Sequence, residues 1–109
     1  MSDLVLDPGR LDRRLVLETP AESADGAGGV ARSYSAVATL WASVEPLSAR
    51  AAIEAQALGA AVTHRIRIRH RTDVTLRHRL RDGARVFRIV AIRELHKRFL
   101  DIEAEERTD

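Results

Sequence analysis

Residues 63–71 read THRIRIRHR, with Arg65, Arg67, Arg69 and Arg71 on every second position and Ile66 and Ile68 between them. Successive side chains of a strand point to opposite faces, so this period of two is the signature of a strand. The spacing predicts a strand over 62–71 with a pure arginine face and an Ile/His face that carries His64 and His70. A segment of this kind suits a sheet whose other side is a hand for nucleic acid, a channel lining or a solubilising outer face.

The punctuation around it sets the remaining elements. Residues 1–13 read as a flexible polar arm with Asp7-Pro8-Gly9 as turn chemistry. A short strand over 14–18 is expected to stop at Thr19-Pro20, and 20–30, rich in Gly, Ala and small polar groups, to form a mobile hairpin loop. A strand region over 31–45 ends at Pro46. Residues 47–58 are Ala-rich and predict one short helix inside a 46–60 loop, with Ser48 as N-cap, Gly59 as C′ residue and Arg50 paired to Glu54. Its apolar side, mostly alanine with Ile53, is expected to pack weakly or against another chain.

After the arginine strand come strands over 75–81, 84–92 and 98–105, and a loose tail over 106–109. Asp82-Gly83 is a hairpin signal, since both residues tolerate positive φ, and 93–97 is the next turn. The 84–92 strand is apolar on both faces and is predicted to be the most buried. The fold class is therefore mainly β. A small β-barrel of about six short strands, spanning 14–105 as a single domain, carries one short helix in the loop between its second and third strands.

Composition narrows the chemistry. A chain of 109 residues holds one modest core, and the absence of cysteine excludes disulfides and thiolate metal sites. The longest uncharged run, Ser33 to Val44, is too short to span a bilayer, and the N-terminus has no apolar signal core; a soluble protein made inside the cell, with no membrane partner, is expected. The formal charge of +2 is unevenly spread. Residues 63–88 hold nine arginines against two aspartates, +7, whereas 1–62 carry −3 and 89–109 carry −2. Such a band steers a polyanion or meets an acidic neighbour.

No catalytic constellation, cofactor site or metal site is predicted. DGAGG at 25–29 lacks the Lys-Ser/Thr of a phosphate loop. His64 and His70 share a strand face but stand about 20 Å apart, too far to ligate one metal. The arginine row suits phosphates at a spacing of about 6.6 Å, and equally a solvated outer face or ion pairs with Glu103, Glu105 and Glu106. Base stacking fits less well, because Tyr34, Trp41, Phe87 and Phe99 do not interleave with the arginines. Trp41 lies opposite the apolar stripe of its strand, as a second-face core residue or an interface anchor.

Three stretches together carry a family resemblance: GRLDRRLVLETP at 9–20; Gly28-Gly29-Val30 through VATLWASVEPLSARAAIEAQ at 37–56; and VTHRIRIRHR at 62–71 followed by DGARVFRIVAI at 82–92 and FLDIEAEE. In this order, over about residues 8–106, the chain resembles the phage head–tail joining, or head-closure (stopper), family, with an Ala/Arg-rich bias like that of a prophage or gene transfer agent. The resemblance implies no enzyme activity and no cofactor. It implies a ring of six or twelve identical subunits in the neck of a phage-like particle assembled in the bacterial cytoplasm. The portal or adaptor lies on one side of that ring and the tail terminator or tail tube on the other. Double-stranded DNA passes through without sequence preference, and the ring closes the head and gives the tail its platform. It also implies that Glu45, Ser48, Arg50, Ile53 and Glu54 belong to a segment that in relatives can project toward the channel, either as a plug or packed against a neighbour. Arg65, Arg67, Arg69 and Arg71 then line the channel or a subunit interface. The interface is expected for most of them, since a sliding polyanion should not be gripped by a dense arginine row. The alternative function is a free-standing nucleic-acid-binding domain that uses the same four arginines.

Overall fold

The computed structural model describes residues 11–24, 26–59 and 61–107. In chain order these form β1 (Arg13–Ala24), β2 (Val30–Pro46), α1 (Ala49–Ala57), β3 (His64–Arg69), β4 (Arg79–Asp82), β5 (Arg85–Leu95) and β6 (Phe99–Arg107). All six strands pair antiparallel in the order β1-β2-β3-β6-β5-β4, and β4 returns to β1 through Val16↔Arg81, Leu17↔Leu80 and Glu18↔Arg79. The sheet thus closes into a ring of strands around one core.

That core is built from the inward alternate residues of every strand. Leu15 and Leu17, Leu40 and Ala42, Ile66 and Ile68, Leu80, Phe87 and Ile89, and Leu100, Ile102 and Ala104 form one buried cluster. Ten of these twelve are Leu, Ile or Phe, and burying each is worth about 1.5–3 kcal/mol. The apolar character of 84–92 on both faces has a local cause. A bulge leaves Val90 unpaired between Ile89↔Ala104 and Ala91↔Glu103. The inward phase changes there, so Phe87 and Ile89 point into the core before the bulge and Ile92 packs against it after.

The segment expected as a loop over 20–30 is mostly paired. Residues 20–24 of β1 face 30–34 of β2, from Pro20↔Tyr34 to Ala24↔Val30, so the two strands run on as a ribbon past the closed sheet. Proline does not stop β1, because past Glu18 that strand has β2 as its one partner, and an edge position tolerates a missing N–H. Small polar composition does not forbid a strand once the register has been set upstream. Other bounds also move: β3 ends at Arg69, β4 begins at Arg79, and β6 continues to Arg107. Residues 75–78 form a turn instead of strand, closed by His78 N donating to Thr75 O at 3.1 Å. The arm expected over 1–13 falls largely outside the described residues, but Leu11 is buried and β1 begins at Arg13.

Two hairpin turns differ in chemistry. Asp82 closes β4, and in its turn it is Gly83 that takes the positive φ, at 62°. His96 and Lys97 both adopt positive φ, 52° and 58°, in a turn closed by Arg98 N donating to Leu95 O at 3.0 Å. This is the twist that matches a two-residue hairpin, imposed on residues that carry a Cβ. Helix α1 starts where Ser48 Oγ accepts from Ala51 N at 3.1 Å and ends before Gly59 at φ 84°. None of its residues is buried.

Candidate functional site

β3 lies between β2 and β6, and Ile66 and Ile68 enter the core as the alternation requires. On the opposite face the register sets acids across from arginines. Arg65 faces Glu103, Arg67 faces Asp101, and Arg69 faces Phe99. The cause is a second period of two in β6, where Leu100, Ile102 and Ala104 point inward and Asp101, Glu103 and Glu105 alternate with them.

The four arginines therefore occupy four different environments. Arg67 is 8% exposed; its Nε and Nη2 donate to the two carboxylate oxygens of Asp101 at 2.5 and 2.7 Å, and its guanidinium lies 5.9 Å from the centre of the Phe99 ring. Arg93 approaches the same carboxylate at 3.8 Å. Arg65 makes a loose pair with Glu103 at 3.8 Å, and both are about half exposed. Arg71 lies beyond the strand and donates twice to Asp73, at 2.9 and 2.7 Å; these bonds hold the Asp73 carboxyl below its ordinary range. Arg69 is exposed, with no carboxylate within ion-pair distance among the described residues. Of the open readings of the row, ion pairing within the chain is the one seen for Arg65 with Glu103, while Arg67 is taken up by Asp101. Arg69, and in part Arg65, stay available to another molecule.

Trp41 is 54% exposed, which removes the second-face core reading. Arg14, directly opposite on β1, lies 5.5 Å from its ring centre. The pair Ala42↔Ile68 puts Trp41 and Arg69 at neighbouring positions where β2 and β3 part. Trp41 thus presents an exposed indole with Arg14 over its ring and Arg69 at the next register position. In the helical segment Glu45 is exposed opposite Arg65, Ser48 caps α1, Arg50 and Glu54 pair at 3.8 Å, and Ile53 is 66% exposed.

The linear reading missed two clusters. Glu18 is 4% exposed and accepts from Arg79 Nε at 2.7 Å and Arg81 Nε at 2.9 Å, which ties the root of the ribbon to β4. The alternation of Arg77, Arg79 and Arg81 was its signal. The guanidinium of Arg79 also stacks 3.5 Å from the Tyr34 ring centre. The second cluster surrounds His64. Its Nδ1 lies 2.8 Å from Thr63 Oγ1, Arg85 Nη2 stands 3.4 Å from its Nε2, and its ring meets Phe87 edge-on at 5.2 Å. A guanidinium can only donate, so Nε2 accepts and Nδ1 carries the proton in the neutral ring. Burial pushes the His64 pKa down, against Glu106, which raises it, and with Arg85, which lowers it further. Among the described residues, no group of three or more His, Asp or Glu stands together as a metal site, and no helix is long and apolar enough to cross a membrane.

Comparison with known proteins gives three findings. The family model described as phage head completion protein matches residues 6–107. Protein SF1141 of Shigella flexneri 2a, solved in solution, is 30% identical over 92% of this chain and 96% of its own, with a TM-score of 0.73. A chain in the virion of a native gene transfer agent particle is 29% identical over 90% of this chain and 96% of its own, with a TM-score of 0.59. Among curated proteins none matches.

Proposed function

The chain belongs to the phage head completion protein family, and on that premise we propose that it is a structural subunit of the head–tail connector of a tailed phage or phage-like particle. Copies of it form a ring of six or twelve between the portal or adaptor and the tail. That ring closes the filled head, retains the packaged double-stranded DNA and gives the tail terminator or tail tube its docking platform. The observation that carries the reading is the likeness, over nearly the whole length of both chains, to a component of a gene transfer agent virion.

Several features support the finer parts. Trp41, Arg14 and Arg69 offer an anchor between copies, and Arg65 and Glu45 lie in the next part of the same face. The segment from Glu45 to Glu54, with α1 unburied and Ile53 exposed, is the part that projects toward the channel or a neighbour. The alternative of a free nucleic-acid-binding domain is weakened by the same geometry, since Arg67 is buried on its own acid and Arg71 is doubly bonded to Asp73. Deleting the gene in a particle-producing host tests the function. The expected result is filled or leaking heads without tails under the electron microscope. Normal tailed particles, or purified particles that lack this chain, would overturn it.

A further inference from the structure

Away from β3, a second set of cations meets in an open cleft of about 380 Å³. Arg79, Arg88 and Arg107 line one side, from β4, β5 and β6. The ribbon contributes Arg32 and Tyr34, and the turn after β3 contributes Leu76 and Arg77. Three carboxylates hold these groups in place. Glu22 accepts from Arg32 at 2.7 Å, Glu18 from Arg79 at 2.7 Å, and Glu105 lies 3.0 Å from Arg88 and 3.6 Å from Arg107. Among the described residues, these five arginines and Arg81, the second partner of Glu18, meet three carboxylates, an excess of positive charge. Arg77 has no carboxylate within ion-pair distance among the described residues, and Leu76 beside it is 59% exposed. The turn that presents them is fixed by His78 Nδ1, which accepts from Thr75 N at 3.0 Å.

We propose that this cleft binds an extended, carboxylate-bearing peptide segment of a partner protein, with apolar side chains alternating between its acids. Guanidinium groups already oriented by internal carboxylates keep further N–H donors in a planar fork that fits a carboxylate. The exposed Leu76, Val86 and the Tyr34 ring offer the apolar contacts that a segment of mixed character needs. A nucleic-acid backbone is the poorer occupant. It brings about one charge per 1.7 Å to a site with a small excess of cations, and it makes no use of the apolar lining. The site is distinct from the arginine strand and does not depend on the ring reading.

The test is fluorescence anisotropy at low salt with the full chain and a labelled peptide of about eight residues that alternates glutamate with leucine. Binding is expected, at least about tenfold weaker for Arg77→Ala, for Leu76→Asp and for the all-glutamine peptide, and unchanged for Arg50→Ala on α1. Thermal melts of the variants check that each stays folded, and both substituted residues are exposed in a turn. No peptide binding at millimolar concentration overturns the proposal, as does an equal loss on Arg50→Ala. A short DNA duplex that binds more tightly than the peptide in an Arg77-dependent way also overturns it, in favour of nucleic acid. None of these outcomes bears on whether particles need the chain, so the two readings fail separately.

Discussion

Asp101→Asn keeps the shape of the side chain and one acceptor, and removes the charge that faces Arg67. Both partners are nearly buried, with side chains 9% and 7% exposed. Removing one partner of a buried pair costs about 3–5 kcal/mol, because the remaining ion keeps its desolvation penalty without its compensation. The retained acceptor puts the expected loss near the low end, about 3 kcal/mol. For a domain of this size that corresponds to a melting point lower by roughly 12–24 °C. In urea the midpoint should fall by roughly 1.5–3 M at an m-value of about 1–2 kcal/mol/M. Urea denaturation followed by circular dichroism reads both stability and m. Arg65→Ala, which removes an exposed pair of the same register, should cost under about 1 kcal/mol. The double replacement Arg67→Met with Asp101→Leu should return stability to near the starting value or above, since an apolar pair of similar volume carries no desolvation cost. A loss below about 1 kcal/mol for Asp101→Asn, or a double variant as unstable as the single, would refute the claim that burial makes this pair obligatory.

Three further expectations follow from other sites. The lowered His64 pKa means that the unfolded chain takes up this proton first. Its contribution is present above about pH 6.5 and is lost as pH falls from there toward the lower folded value; His64→Gln should flatten that part of a stability–pH profile, and an unchanged profile would show the group to be unperturbed. His96→Asn with Lys97→Gly should stabilise by about 1 kcal/mol, read as a raised urea midpoint, because both positions have positive φ; a fall would mean their side chains make contacts that outweigh the backbone strain. Trp41→Ala should leave the melting point of the isolated subunit within about 0.5 kcal/mol equivalent and abolish ring formation in light scattering; rings that persist would remove it as an anchor.

Strand alternation was legible wherever one face is apolar. Ile66 and Ile68 in β3, and Leu100 and Ile102 in β6, are buried as the period of two requires. So were the helix terminus at Ser48 and the Arg50–Glu54 pair, both short-range chemistry. The ribbon past Thr19 was not legible, because its order comes from backbone bonds to partners six to fourteen residues away on β2, which composition does not record. Nor was the fate of the arginines. Which acid meets which guanidinium is set by register, and register needs the pairing of β3 with β6 and of β1 with β4. The bulge at Val90 made one apolar strand look two-faced, since a local change of phase is invisible in a pattern read with one period.

Among the described residues, twelve arginines hold a carboxylate of the same chain within 4.0 Å. They share nine carboxylates, because Glu18, Asp101 and Glu105 each serve two; nine pairs thus replace two monopoles with a dipole, whose potential dies away faster than that of a lone charge. Beyond a screening length of about 8 Å at physiological salt, little of it survives. A distant polyanion would therefore feel less pull than the number of arginines suggests, and most of that pull would come from the unpaired cations such as Arg69 and Arg77. The charge of such a surface is thus felt at contact more than at a distance, and what reaches solvent is set by the few guanidinium groups left over.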